Sequence, residues 1–140
     1  MPKGQAQLEW QGQRLYFDRV SMGNPHVVLF DSTFDEQQVD VIGPLVSRGE
    51  PEGSNVEFVR QTGPSELDVL VWERGVGRTL ACGTGAGAVV VAAARRGLVP
   101  FGSPVAVKLP GGVLEVHVTP SLEVEKRGPV SHVFSGDAQL

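Results

Sequence analysis

The stretch Cys82-Gly83-Thr84-Gly85-Ala86-Gly87-Ala88-Val89-Val90-Val91-Ala92-Ala93-Ala94-Arg95-Arg96-Gly97 decides the fold. Residues 84–94 put small or apolar side chains on nearly every face of a helix, and a helix without a polar face is normally buried all round. Arg95 and Arg96 suit its C-terminal end, and Gly97 stands where a left-handed residue closes a helix. In a domain of 140 residues such a helix is best enclosed by a curved sheet.

Outward from it, the chain reads as short strands punctuated by glycine and proline. They are expected at residues 7–10, 14–20, 26–30, 55–60, 66–73, 104–109, 113–118 and 122–126. Gln11-Gly12 and Pro110-Gly111-Gly112 look like hairpin turns, and residues 67–72 partly alternate, as in a sheet with one covered face. A further helix over 35–47 has a ragged apolar face in Val39, Val41, Ile42 and Leu45, with Gly43-Pro44 expected to bend or end it. The reading is one α+β domain over residues 1–140.

Composition narrows the function. A 41% hydrophobic content is ordinary for a globular protein, and a net charge of -4 with scattered basic residues gives no footprint for nucleic acid. A small-molecule ligand is the better expectation. No run approaches the roughly 20 apolar residues of a membrane span, and residues 1–5 hold no apolar signal core, so the chain reads as cytoplasmic. The lone cysteine forbids a disulfide within the monomer and is compatible with a reducing compartment.

Cys82 directly precedes the helix, where the dipole and unpaired N–H groups lower a thiol's pKa and can hold a carboxylate. The plainer reading is a buried structural thiol, with the glycines letting the helix pack closely. Gly83-Thr84-Gly85-Ala86-Gly87-Ala88 also approaches a dinucleotide pattern. The following strand lacks the acidic residue for a ribose, however, and the preceding chain is β-rich rather than βαβ. Asn24-Pro25-His26 leads into a strand; its plain reading is a turn asparagine and a histidine packed at a sheet edge. Asn55 could likewise cap a turn after Gly53-Ser54, and Glu73 and Arg74 default to solvated charges that need not pair. His117 and His132 show no spacing with Cys82 that suggests a metal site.

Taken together, Met22-Gly23-Asn24-Pro25-His26, Gly53-Ser54-Asn55-Val56-Glu57-Phe58, Trp72-Glu73-Arg74-Gly75-Val76-Gly77, Leu80-Ala81-Cys82-Gly83-Thr84-Gly85-Ala86, Leu109-Pro110-Gly111-Gly112 and Gly128-Pro129 resemble the C-terminal half of diaminopimelate epimerase. The resemblance implies a curved, mostly antiparallel sheet around a central helix, one of two pseudo-symmetric halves with the active site between them. It implies an isomerase that needs no pyridoxal phosphate or other cofactor and no metal. Cys82 would be one of two catalytic cysteines, one removing the substrate's α-proton and the other returning a proton to the opposite face. Gly83 and Thr84 would hold the α-carboxylate. Asn24, Asn55, Glu73 and Arg74 match substrate-binding positions, and His26 and Glu73 match groups beside the thiols. Arg78 stands where relatives often carry an acidic residue, and Lys126-Arg127 where an apolar or neutral pair is more usual.

The family's N-terminal half, with the second cysteine, has no counterpart in these residues. Three readings follow. The chain works with that missing half on diaminopimelate, in lysine and peptidoglycan precursor synthesis. Two copies pair to make a racemase of another amino acid. Or the domain only binds an amino acid or a protein and catalyses nothing.

Overall fold

A computed structural model describes residues 5–30, 34–79, 83–128 and 132–139. The elements run β1 (Gln5–Trp10), β2 (Gln13–Ser21), β3 (Pro25–Phe30), α1 (Glu36–Arg48), β4 (Asn55–Gly63), β5 (Glu66–Glu73), β6 (Gly77–Thr79), α2 (Gly83–Arg95), β7 (Val105–Leu109), β8 (Gly112–Val118), β9 (Glu123–Arg127) and β10 (His132–Asp137). The strands form one sheet in the order β1-β2-β3-β4-β5-β7-β8-β9-β10, with β6 beside β5. Among the described residues only the β3–β4 and β5–β7 pairs are parallel. The expected α+β class and largely antiparallel sheet are therefore present.

The sheet rolls up on itself. Ser21, at the end of β2, bridges Gln139, just past β10, through Ser21 N–H to Gln139 O at 2.6 Å and Gln139 N–H to Ser21 O at 2.8 Å. α2 lies inside. Ala86 and residues 88–94 are buried among the inward valines of β2 to β9, including Val20, Val28, Val59, Val71, Val116 and Val124. The helix's small side chains are what allow so narrow an enclosure. A Cβ built on Gly87 would stand 2.7 Å from Met22 Cε and 3.2 Å from Val124 Cγ1. Beyond the last turn, Gly97 adopts φ 75°; its N–H reaches Ala94 O and that of Leu98 reaches Ala93 O, the paired bonds of a Schellman cap.

Both expected hairpins are two-residue turns, with Trp10 opposite Gln13 and Leu109 opposite Gly112. Gln11 and Gly12 have φ 48° and 77°, the left-handed pair that matches the twist of the flanking strands. Leu122 corrects the start of the strand expected at 122–126, because its φ of 67° places it in a turn and β9 begins at Glu123.

α1 packs on the sheet's outer face, joining Val39, Ile42 and Val46 to Val27, Leu29, Val56 and Phe58. Its start is a capping box: Asp35 accepts from Gln38 N–H, and Gln38 returns a bond to Asp35 N–H. Gly43-Pro44 does not end it. The helix runs on to Arg48, because Val46 and Ser47 beyond the proline are buried and hold the last turn in place. At Gly43 the helix meets the sheet closely, with the Trp72 side chain lying against its backbone.

Candidate active site

Strand alternation brings the polar groups to one end of the enclosure. On β3, Val28 and Phe30 face α2 while Val27 and Leu29 face α1, so His26 shares the inward face. On β4 the same parity sends Asn55 and Glu57 inward with Val59, and on β5 it places Glu73 in line with Leu67, Val69 and Val71. β3 and β4 pair in parallel with His26 opposite Asn55, and Val56 stands opposite Trp72. Their polar ends and the end of β5 therefore gather where α2 begins.

His26 Nδ1 lies 2.6 Å from Glu57 Oε1, and both side chains are 0% exposed. Its Nε2 lies 3.1 Å from Asn24 Oδ1 and 3.1 Å from Thr84 Oγ1, in the first turn of α2. Asn24 Nδ2 donates to the same Thr84 hydroxyl at 3.4 Å. Glu57 Oε2 is buried and is without a hydrogen-bond partner among the described residues. Burial pushes the Glu57 carboxyl above the usual carboxylate range, His26 pulls it back, and the nearby charge of Glu73 adds to the rise.

The turn after β5 is tied down from the other side. Asn55 Oδ1 accepts from Arg74 N–H at 2.8 Å, and Arg74 Nη1 donates to Glu52 O at 2.6 Å. The Arg74 side chain lies along Gly53, where a Cβ would come within 2.8 Å of its Cδ; Gly53 has φ 74°. Asn55 thus joins two loops rather than capping its own turn, and Arg74 bonds to Glu52 rather than to Glu73. Arg78 turns outward and pairs with Glu36 at 2.8 Å and Asp40 at 3.0 Å on α1. Arg78 therefore lies on the outer face, away from the polar cluster.

Cys82, with Leu80 and Ala81, lies outside the described residues, as does Pro129. Gly83 is the first residue of α2. Among the described residues no group of three or more His, Cys, Asp or Glu could hold a metal, and no helix is long and apolar enough to cross a membrane.

The family model described as diaminopimelate epimerase matches residues 19–133. The chain belongs to the diaminopimelate epimerase family. It is 46% identical over 132 residues to the diaminopimelate epimerase of Carboxydothermus hydrogenoformans, covering 93% of this chain and 47% of the relative. The enzyme of that name from Desulfitobacterium hafniense is 44% identical, with 94% and 46% covered. The chain therefore spans about half the length of the curated relatives it matches. Among solved structures, a hydroxyproline epimerase from Agrobacterium vitis superposes with a TM-score of 0.64 at 14% identity, over 96% of this chain and 46% of its own. A PhzF-family phenazine biosynthesis protein from Bacillus anthracis gives 0.59 at 20% identity, over 79% and 37%. At such identities the likeness is one of fold.

The structure unites Asn24, His26 and Thr84 in one network and Asn55 with Arg74 in another. It corrects the sheet-edge reading of His26, which lies inside between β2 and β4. Sequence reasoning gave Glu57 no role. Its signal was a carboxylate in Val56-Glu57-Phe58-Val59, a run whose other members are all buried and apolar. Lys126 was likewise missed as an interior residue: it is 1% exposed on β9, on the same face as Val124.

Proposed function

We propose that this chain is the single-domain C-terminal half of a diaminopimelate epimerase, acting in the cytoplasm and completed by an N-terminal half that carries the second thiol. The observation that carries the reading is the His26–Glu57 pair joined through Asn24 and Thr84 to the start of α2, the helix that Cys82 immediately precedes. Family membership supports the substrate class, a small diamino acid.

In this reading Cys82, as thiolate, takes the α-proton on one face or, as thiol, returns one. The N–H groups of Gly83 and Thr84 at the helix start hold the α-carboxylate, where negative charge grows as the proton leaves. An amino-acid α-proton is weakly acidic, so this stabilisation in a site closed to water is what the reaction demands. Asn24, Asn55, Glu73 and Arg74 contact the rest of the substrate, and His26 and Glu73 stand beside the thiols. A domain that merely bound an amino acid would have no need of a carboxyl–imidazole pair sealed from water, since burying such groups is costly.

The test is complementation. Mixing the chain with a separately produced N-terminal half should restore interconversion of L,L- and meso-diaminopimelate, and Cys82→Ala should abolish it. A well-folded pair without activity, or activity that survives Cys82→Ala, would overturn the reading.

A further inference from the structure

The turn that joins β5 to β6 carries Glu73 and Arg74, two of the residues proposed to contact the substrate. On its inner side Asn55 Oδ1 accepts from Arg74 N–H at 2.8 Å. Within the turn Val76 N–H donates to Glu73 O at 3.0 Å, with Gly75 and Gly77 at φ 79° and 108°. β6 is three residues long and pairs with β5, Glu73 opposite Gly77, Trp72 opposite Arg78 and Val71 opposite Thr79. So short a strand holds a hairpin weakly by its ladder alone, and the turn's position depends on what grips β6 from outside.

Helix α1 supplies that grip at two adjacent points. Trp72 lies against Gly43, and Arg78, opposite Trp72, reaches Asp40 and Glu36. Positions 36, 40 and 43 share one helical face. The Arg78 fork spans both acids, with Nε 3.0 Å from Asp40 Oδ1 and Nη1 2.8 Å from Glu36 Oε2. Glu36 and Asp40 stand one helical turn apart, where like charges repel, so a cation between them relieves that repulsion as well as forming two pairs. The Arg78, Glu36 and Asp40 side chains are 39%, 66% and 49% exposed, which makes the clasp modest in strength and sensitive to salt. Its reach is local, from α1 to the strand that closes the turn.

We infer that Arg78 is a positioning residue: by clasping β6 to α1 it holds the Glu73–Gly77 turn closed, so that Glu73 and Arg74 meet the substrate already in place. The role rests on the proposed function for the contact between that turn and a diamino acid, but the clasp itself can be observed without substrate. A binding turn that is closed only part of the time weakens apparent affinity by the fraction closed. Loosening the clasp therefore raises KM and leaves kcat, which reports the bound complex, little changed.

The experiment measures amide hydrogen exchange by NMR, at low salt, at Arg74 and Val76, the two donors of the turn, with Val90 and Ala92 of the buried α2 as reference. In Arg78→Glu, which sets another carboxylate against Glu36 and Asp40, exchange at Arg74 and Val76 should quicken on the order of tenfold while α2 is unchanged. Combining Arg78→Glu with Asp40→Arg exchanges the charges and again places a cation between two carboxylates, so protection should return to within about twofold of wild type. High salt should move wild-type exchange in the turn towards that of Arg78→Glu. In the enzyme completed by an N-terminal half, Arg78→Glu should raise KM on the order of fivefold with kcat within about twofold, and the exchange of charges should restore KM. Unchanged exchange at Arg74 and Val76 in Arg78→Glu, a quickening that extends equally to α2, protection that the exchange of charges does not restore, or an effect confined to kcat would overturn the inference. A wild-type pair that fails to epimerise, although the turn responds to these substitutions as stated, would refute the proposed function instead.

Discussion

Gly43→Ala measures how tightly helix α1 seats the end of β5. A Cβ at this position would lie 2.5, 2.7 and 2.9 Å from Trp72 Cγ, Cβ and Cδ2. Those atoms are the root of a side chain on a central strand, so relief requires moving the strand and not a flexible tip. Replacing glycine by alanine inside a helix gains about 1 kcal/mol, while overpacking costs about 1–3 kcal/mol. With three atoms inside 3 Å the upper end applies, leaving a net loss of about 2 kcal/mol. At a urea slope of about 2 kcal/mol per molar, the unfolding midpoint should fall by about 1 M. Gly49→Ala is the control, since its φ is -75° and its nearest neighbour is Val46 O at 3.4 Å; it should stay within about 0.5 kcal/mol of wild type or gain slightly. Urea unfolding followed by tryptophan fluorescence reads both. A Gly43→Ala protein as stable as wild type would refute the packing argument.

Asp35→Ala removes the side-chain oxygen that accepts from Gln38 N–H and should cost about 1 kcal/mol in the same assay, with Asp35→Asn costing less. Arg96 grips the buried Asp18 through two bonds of 2.6 and 3.2 Å and lies over the Phe30 ring at 4.9 Å. Arg96→Ala should therefore cost about 2 kcal/mol by stranding a buried carboxylate, whereas Arg60→Ala, which breaks a solvated pair with Asp68, should change stability by less than about 1 kcal/mol. Stability against pH should also differ between wild type and Glu57→Gln. A carboxyl raised on folding binds its proton more tightly in the native state. Its contribution is therefore full below the unfolded carboxylate range and is lost as pH rises through the raised native value. The wild type should lose stability relative to Glu57→Gln over that window, measured by urea unfolding at a series of pH values. A difference that is flat with pH, or of opposite sign, would contradict the assignment.

The features legible in the sequence are those whose cause is local. The all-apolar run after Thr84 specified an enclosed helix, and Gln11-Gly12 and Pro110-Gly111 specified hairpins because their backbone requirements are short-range. β6 escaped notice because its Gly77-Arg78-Thr79 has no strand pattern of its own; it is a strand only because it completes the edge of β5 beside Glu73. The same holds for the Ser21–Gln139 bridge, which joins residues far apart in the chain. α1 outlasted its Gly43-Pro44 signal because tertiary burial overrode it. In the site, motif resemblance picked out Asn24, His26, Asn55, Glu73, Arg74 and Thr84. It could not show that His26 is interior or that Glu57 stands behind it, since both depend on the parallel register of β3 with β4.

The central claim, that Cys82 at the head of α2 is one of the two proton-transferring groups, is tested most directly by deuterium incorporation. The chain, paired with an N-terminal half, is incubated with L,L-diaminopimelate in heavy water, and the α-carbons are followed by NMR. The account expects the meso product to carry deuterium at the inverted carbon, and expects Cys82→Ala to abolish product formation. Incorporation that persists at the wild-type rate in Cys82→Ala, or its absence from a folded wild-type pair, would contradict it.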